Sequence, residues 1–264
     1  LTEARGDVQE AQRHLARLEA ALPRAVAERS AHLQVLVAMS KLTVARLRRD
    51  LEAAEEHAEQ LLAAVEASRE AAVLGDDLRA QALISLGIVK AWSQQREEGE
   101  RYFEQAIALA RRIRRPFLEI NALAHWAVLE SARSIATARE RSLQAIELAR
   151  TYGWGDLRTV APAYVALGLT SIWQAQADEA DRWFQLAGRA LQGGEDGTSL
   201  LLYQGRGLRH LALGQVDEAL DDFRAAARTA RFVVTSARAR SRALLLQVRV
   251  KRGELGRVEG VLAE

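Results

Sequence analysis

Apolar residues recur along this chain at steps of three and four from one end to the other, and no window alternates with a period of two for long. On a 3.6-residue helix that spacing draws one apolar stripe, so the whole chain is expected to be helical. Proline stands only at 23, 116 and 162. Long helices are therefore not interrupted from within.

The stripe carries a slower rhythm. GQVDEALDDF at 214–223 is echoed by QADEADRWF at 176–184. Taking the small residue before the aromatic as an anchor, copies stand at Ala11, Ala54, Gly99, Ala138, Ala180, Ala219 and Val258, spaced by 43, 45, 39, 42, 39 and 39 residues. Four after three of the anchors come Phe103, Phe184 and Phe223, and at seven Ala106, Ala145, Ala187 and Ala226. Twelve before three anchors stand Gly87, Gly168 and Gly207. A helical glycine costs about 1 kcal/mol relative to alanine. Three at one offset imply close approach of two helix backbones. Each anchor then belongs to a second helix, and the glycine to a first helix packed against it. The aromatic is expected to fill the space between neighbouring repeats. Asp217 and Glu218 open a second helix at its positive dipole end. The stretches 66–77 and 151–159 are expected as loops between repeats.

This pattern resembles the tetratricopeptide repeat, with a unit longer than the usual 34 residues. The resemblance implies an all-α, right-handed superhelical solenoid of about thirteen helices: an orphan helix in 1–23, then six pairs, forming one repeat domain over 1–264. The chain opens on Leu1 inside a helical pattern, so a longer parent chain is expected. YGWGDLRTVAPAYVALG at 152–168 and LGIVKAWSQQREEGERYFEQAIALAR at 86–111 resemble the helical-repeat region of MalT-like regulators, the large ATP-dependent LuxR-type transcription activators. In that family a nucleotide-binding domain precedes the repeats and a helix-turn-helix follows them. The resemblance implies an effector-sensing and protein-interaction domain in a bacterial activator, with those flanking domains as partners. The alternative is a generic scaffold of the same repeat that docks a peptide or protein.

First helices line the concave face of such stacks. Trp92 and Trp173, each seven residues before an anchor, are expected there, with Ile88, Leu169, Gln204, Leu208 and Leu211. An apolar groove with tryptophans at equivalent positions suits a small effector or an amphipathic segment. The opposing reading packs both tryptophans between repeats. Arg206 and His210, with His125 and Arg209, could recognise a polar ligand or be ordinary solvated side chains. Trp154, between Gly153 and Gly155, is expected either to plug the groove end or to offer a contact.

Charge and composition chiefly exclude. Lys+Arg is 37 and Asp+Glu 35, a net charge of +2, which marks neither a nucleic-acid footprint nor an acidic tail. The densest basic run, RRIRR at 111–115, is better explained as a helix end before Pro116 than as a phosphate contact. Cysteine is absent, and the five histidines form no metal-binding spacing, so no cofactor or metal is expected. No phosphate-loop motif and no catalytic constellation occurs, so no enzyme is expected. No apolar run is long enough to span a bilayer, and a cytoplasmic location without membrane contact is expected.

Overall fold

The computed structural model describes residues 2–21, 27–48, 50–67, 72–191, 196–230, 235–251 and 253. Among them are twelve α-helices: α1 (Thr2–Ala21), α2 (Ala27–Arg48), α3 (Leu51–Ala67), α4 (Ala72–Trp92), α5 (Arg96–Arg112), α6 (Pro116–Glu130), α7 (Ile135–Thr151), α8 (Ala161–Trp173), α9 (Ala177–Ala190), α10 (Asp196–Ala212), α11 (Val216–Ala230) and α12 (Thr235–Lys251). A single 3-10 turn, Arg158–Val160, precedes α8, and the described residues contain no strand. The chain is all-α, and its helices pack in consecutive pairs. The repeat copy at Val258 and the proline at position 23 lie outside the described residues. The stretch 66–77, expected as a loop, is helical from Ala72. There Asp76 and Asp77 lie in α4 and bind Arg112 and Arg115 at the end of α5, at 3.3 and 2.7 Å.

Two compact units divide the chain, Leu1–Ala122 and Leu123–Glu264. In the first, α1 packs on α2, α2 on α3, α3 on α4 and α4 on α5. Its core joins Val35, Ala38, Leu42 and Ala45 of α2 to Ala54, Ala58 and Leu61 of α3 and to Ala82, Leu86 and Val89 of α4. In the second, successive helices from α7 to α12 pack on one another, and α10 also lies against α8. Within each unit, successive helices thus pack on a partner and on the helix that follows, as stacked hairpins do.

The anchors take one setting. Ala54, Gly99, Ala138, Ala180 and Ala219 are all buried. Four residues before each, Asp50, Gln95, Ser134, Gln176 and Gln215 accept the anchor's N–H on their backbone carbonyl at 2.9–3.0 Å. These residues are the N-caps or stand at the N-cap register. The Asp50 and Ser134 side chains also take the N–H groups of Ala53 and Thr137. One residue earlier the chain turns with positive φ at Gln94, Ala175, Gly214 and, in register with Val258, Gly253. In the first three turns the following N–H reaches the carbonyl of Lys90, Ser171 or His210 at 2.9 Å, closing a Schellman motif.

The glycines Gly87, Gly168 and Gly207 occupy matching crossings, with a different neighbour from the one expected. A Cβ on Gly87 would lie 2.7 Å from Phe103, and one on Gly207 2.6 Å from Phe223. On Gly168 it would overlap Phe184 more severely. The glycine makes room for the ring of its own second helix, not for a backbone. Phe184 is also boxed from the next pair, since a Cβ on Gly205 of α10 would stand 2.5 Å from its Cζ. For that ring the expected filling between repeats holds.

Two pairs invert the arrangement. At the glycine and phenylalanine positions of α2 and α3 stand Leu42 and Ala58, both buried. In α6 and α7 the same positions hold Trp126 and Ser142, likewise buried. Each crossing keeps one large and one small residue, and either helix can supply the large one. Close packing constrains the summed volume rather than the order.

Candidate functional site

The residues expected to line one face do not share one environment. Ile88 and Trp92 end α4 in the first unit, both half-buried. The others belong to the second unit. Trp173, the last residue of α8, is 61% exposed, the most open of the large apolar side chains described. Leu169, one turn earlier, is half-buried; its Cδ2 lies 3.1 Å from where a Cβ on Gly205 would stand, so it borders α10. Leu208 and Leu211 are half-buried against Ala219, Leu220, Phe223, Leu245 and Val248. The core thus claims part of each. Leu213, just beyond α10, is exposed.

Gln204 is buried, and its Nε2 donates to Ser241 Oγ on α12 at 2.8 Å. It ties two first helices together. Arg206 and His210 turn toward α11. His210 Nδ1 lies 3.0 Å from Asp222 Oδ2, and Arg206 Nε 3.6 Å from Oδ1. Burial pushes the Asp222 carboxyl above its usual range, and the charges of Arg206 and His210 partly offset it. Arg209 faces the previous pair, donating to the Ala177 carbonyl at 3.0 Å and lying 3.5 Å from Asp181. These polar residues hold helices together, a role sequence spacing could not show because each partner sits on another helix.

The basic run at 111–115 is also engaged. Arg111 reaches Glu119 at 2.6 Å, beside the pairs that Arg112 and Arg115 make with Asp76 and Asp77. Arg114 forms the left-handed turn after α5. In the first unit Lys90 is buried between Glu55 at 2.5 Å and Glu98 at 3.1 Å. Its hydrogen bond to Glu55 holds the ammonium above the ordinary lysine range.

The turn after α7 is fixed from both sides. Tyr164 donates to the Gly155 carbonyl at 3.0 Å. Trp154, half-buried, stacks on the exposed Tyr152 with ring centroids 4.7 Å apart. Burial pushes the Tyr164 hydroxyl up, and its ring stacks on Trp183. Trp183 Nε1 donates to Glu179, which also receives Arg139 of α7 at 3.3 Å. The indole hydrogen bond, with Arg139, lowers the Glu179 carboxyl below the usual range.

Sequence spacing missed Glu130 and Ser131. They stand eight and seven residues before Ala138, the offsets that Ile172 and Trp173 hold in α8 and Leu211 and Ala212 in α10. Glu130 is 1% exposed and ends α6. Arg133 Nε lies 3.4 Å from one of its oxygens, and no described residue hydrogen-bonds to either. Ser131 is buried, its hydroxyl donating to the Val128 carbonyl at 2.7 Å. One turn before Glu130, Trp126 carries the Arg141 guanidinium 3.9 Å above its ring. Among the described residues there is no group of three metal-ligating side chains, and no helix long and apolar enough to cross a membrane.

No protein-family model matches the chain, and no curated protein resembles it in sequence. Solved structures share its fold. The crystal structure of BtubC (BKLC) from P. vanneervenii aligns with a TM-score of 0.51 over 89% of this chain and 89% of that one, at 16% identity. At that identity the likeness is one of fold.

Proposed function

We propose that the chain is a non-catalytic sensor and docking domain, the effector-sensing repeat region of a bacterial transcription activator of the MalT-like, LuxR-family type. Its receiving surface is the open side of the first helices in the second unit. The observation that carries the reading is Trp173, left largely in solvent at the end of α8 beside half-buried Leu169 and Ile172. A large exposed indole next to apolar neighbours is a surface that gains by being covered. Leu208 and Leu211 extend it along α10. The sequence resemblance at 86–111 and 152–168 supports the regulatory setting. An effector seated there acts on the flanking domains only through a preference for one arrangement of the stack.

Titration of small apolar effectors and of an amphipathic peptide against intrinsic fluorescence, with Trp173→Phe and Trp92→Phe as controls, tests the reading. A signal lost in Trp173→Phe and kept in Trp92→Phe is expected. Binding unaffected by Trp173→Ala removes the surface from consideration. The scaffold reading is favoured by the length of the apolar line from Leu169 to Trp173 and across to Leu211, which suits a helical segment. Capture of the peptide with no response to any small molecule selects it.

A further inference from the structure

Glu130 is out of keeping with a purely structural role on two counts. A carboxylate at the last residue of a helix faces the negative end of the dipole. A buried carboxylate is costly unless hydrogen bonds and a close counter-charge compensate it. Here its carbonyl receives the backbone N–H groups of Arg133 and Ser134 at 2.8 and 2.9 Å, but its side chain receives none from the described residues. Its counter-ion, Arg133, is 58% exposed and 3.4 Å away, a loose and wet partner. Local rules broken without compensation concentrate at functional positions. The register adds a parallel: Glu130 holds in α6 the offset of Ile172 and Leu211, neighbours of the surface assigned above to a ligand. The same face of α6 already receives a guanidinium, that of Arg141 on Trp126.

We infer that Glu130 is the charge-recognising group of that surface, and that its ligand is a small organic cation with an apolar body, an ammonium or guanidinium group on an aliphatic or aryl frame. The inference rests on the proposed receiving surface. The cation takes the place of Arg133 at the Glu130 carboxylate. The apolar body lies along the line that ends in Trp173. Ser131 keeps its hydroxyl on the Val128 carbonyl and leaves the carboxylate as the anionic acceptor.

The test uses the whole chain and three probes of matched shape: phenethylammonium, phenethyl alcohol and 3-phenylpropionate, titrated calorimetrically at one ionic strength. The ammonium ion is expected to bind at least about tenfold more tightly than the alcohol, and the carboxylate weakest. Glu130→Gln should remove that preference and leave the alcohol unchanged. Arg133→Gln should tighten the ammonium probe, since it removes the competing cation. Far-UV circular dichroism melts of both variants confirm that they fold. A preference that survives Glu130→Gln, or an ammonium affinity unmoved by Arg133→Gln, overturns the inference. Equal binding of all three probes overturns it while leaving the apolar surface standing. Failure of every probe to bind refutes both.

Discussion

Replacing Gly168 by alanine should destabilise the protein, although the residue lies inside α8 and helix propensity favours the change by about 1 kcal/mol. The new Cβ would lie 2.5 and 2.8 Å from Cδ1 and Cζ of Phe184 and closer still to Cε1. Ordinary carbon contacts begin near ~3.5 Å. The ring has little room to retreat, because the same edge, Cζ and Cε1, lies 2.5 and 2.8 Å from where a Cβ on Gly205 of α10 would stand. Overpacking a rigid site costs about 1–3 kcal/mol. Net destabilisation of up to about 2 kcal/mol is expected once the propensity gain is subtracted. Phe184→Ala alone should cost about 3–5 kcal/mol through lost burial and the cavity it leaves. In that background Gly168→Ala meets no ring, so it should stabilise by about 1 kcal/mol. The sign reverses, and urea denaturation of the four chains followed by circular dichroism reads it as a coupling of about 1–3 kcal/mol. Gly188→Ala serves as the control. It sits on an exposed face of α9, its nearest neighbour would be Leu202 at 4.0 Å, and it should stabilise in any background. If Gly168→Ala behaves like Gly188→Ala, the ring-in-notch account of the repeat is wrong.

The left-handed turn residues give a second series. Ala175→Gly should stabilise by about 0.5–1 kcal/mol because φ there is +58, whereas Gly214→Ala should destabilise by a similar amount, both read by thermal melts. Exchange of volumes at the inverted crossing, Trp126→Gly with Ser142→Phe, should restore most of the roughly 3–5 kcal/mol lost on removing the tryptophan alone; a double variant no better than the single one refutes the exchange. Glu179 has a lowered folded-state pKa, so its contribution is present above the ordinary carboxylate range and fades as pH falls through and below it. Acid titration of stability should therefore be shallower in Glu179→Gln than in the parent, and equal slopes would remove the Trp183 and Arg139 contacts from the account. Arg112→Gln and Arg115→Gln should each lower the melting temperature only slightly, and less in high salt, because their ion pairs with Asp76 and Asp77 are exposed to solvent.

Much of this architecture could be read from spacing alone, because the features concerned are local and repeated. Gly87, Gly168 and Gly207 pointed to a shared crossing, and the crossing is there. The identity of the neighbour was not legible, since a missing side chain says only that something is close. Leu42 with Ala58 and Trp126 with Ser142 escaped for a related reason: a motif written as small-then-large does not register its own inversion. The turns at Gln94 and Ala175 escaped because glycine is the usual sign of a positive φ, and the Schellman geometry imposes it there on other residues. For the candidate site less was legible. Arg206 and His210 are polar and on a first helix, but their partner Asp222 lies on α11, and nothing in their spacing distinguishes a side chain aimed at a ligand from one aimed at a neighbouring helix.

The crossings also explain where a function can reside in such a fold. Positions twelve before and four after the anchor must share a fixed volume, and the anchor itself must stay small. Those sites are occupied by packing and cannot vary freely without loss of stability. Offsets eight and seven before the anchor hold no such fixed volume: Glu130 and Ser131 are buried, Leu211 is half-buried against the core and Trp173 is open, and the side chains differ from pair to pair. In α6 they are Glu130 and Ser131, in α8 Ile172 and Trp173, and in α10 Leu211 and Ala212. Glutamate, isoleucine and leucine at offset eight, and serine, tryptophan and alanine at offset seven, are incompatible with one packing role repeated three times. They are compatible with a surface whose chemistry is written one repeat at a time, on a frame that the glycine and phenylalanine pairs hold constant.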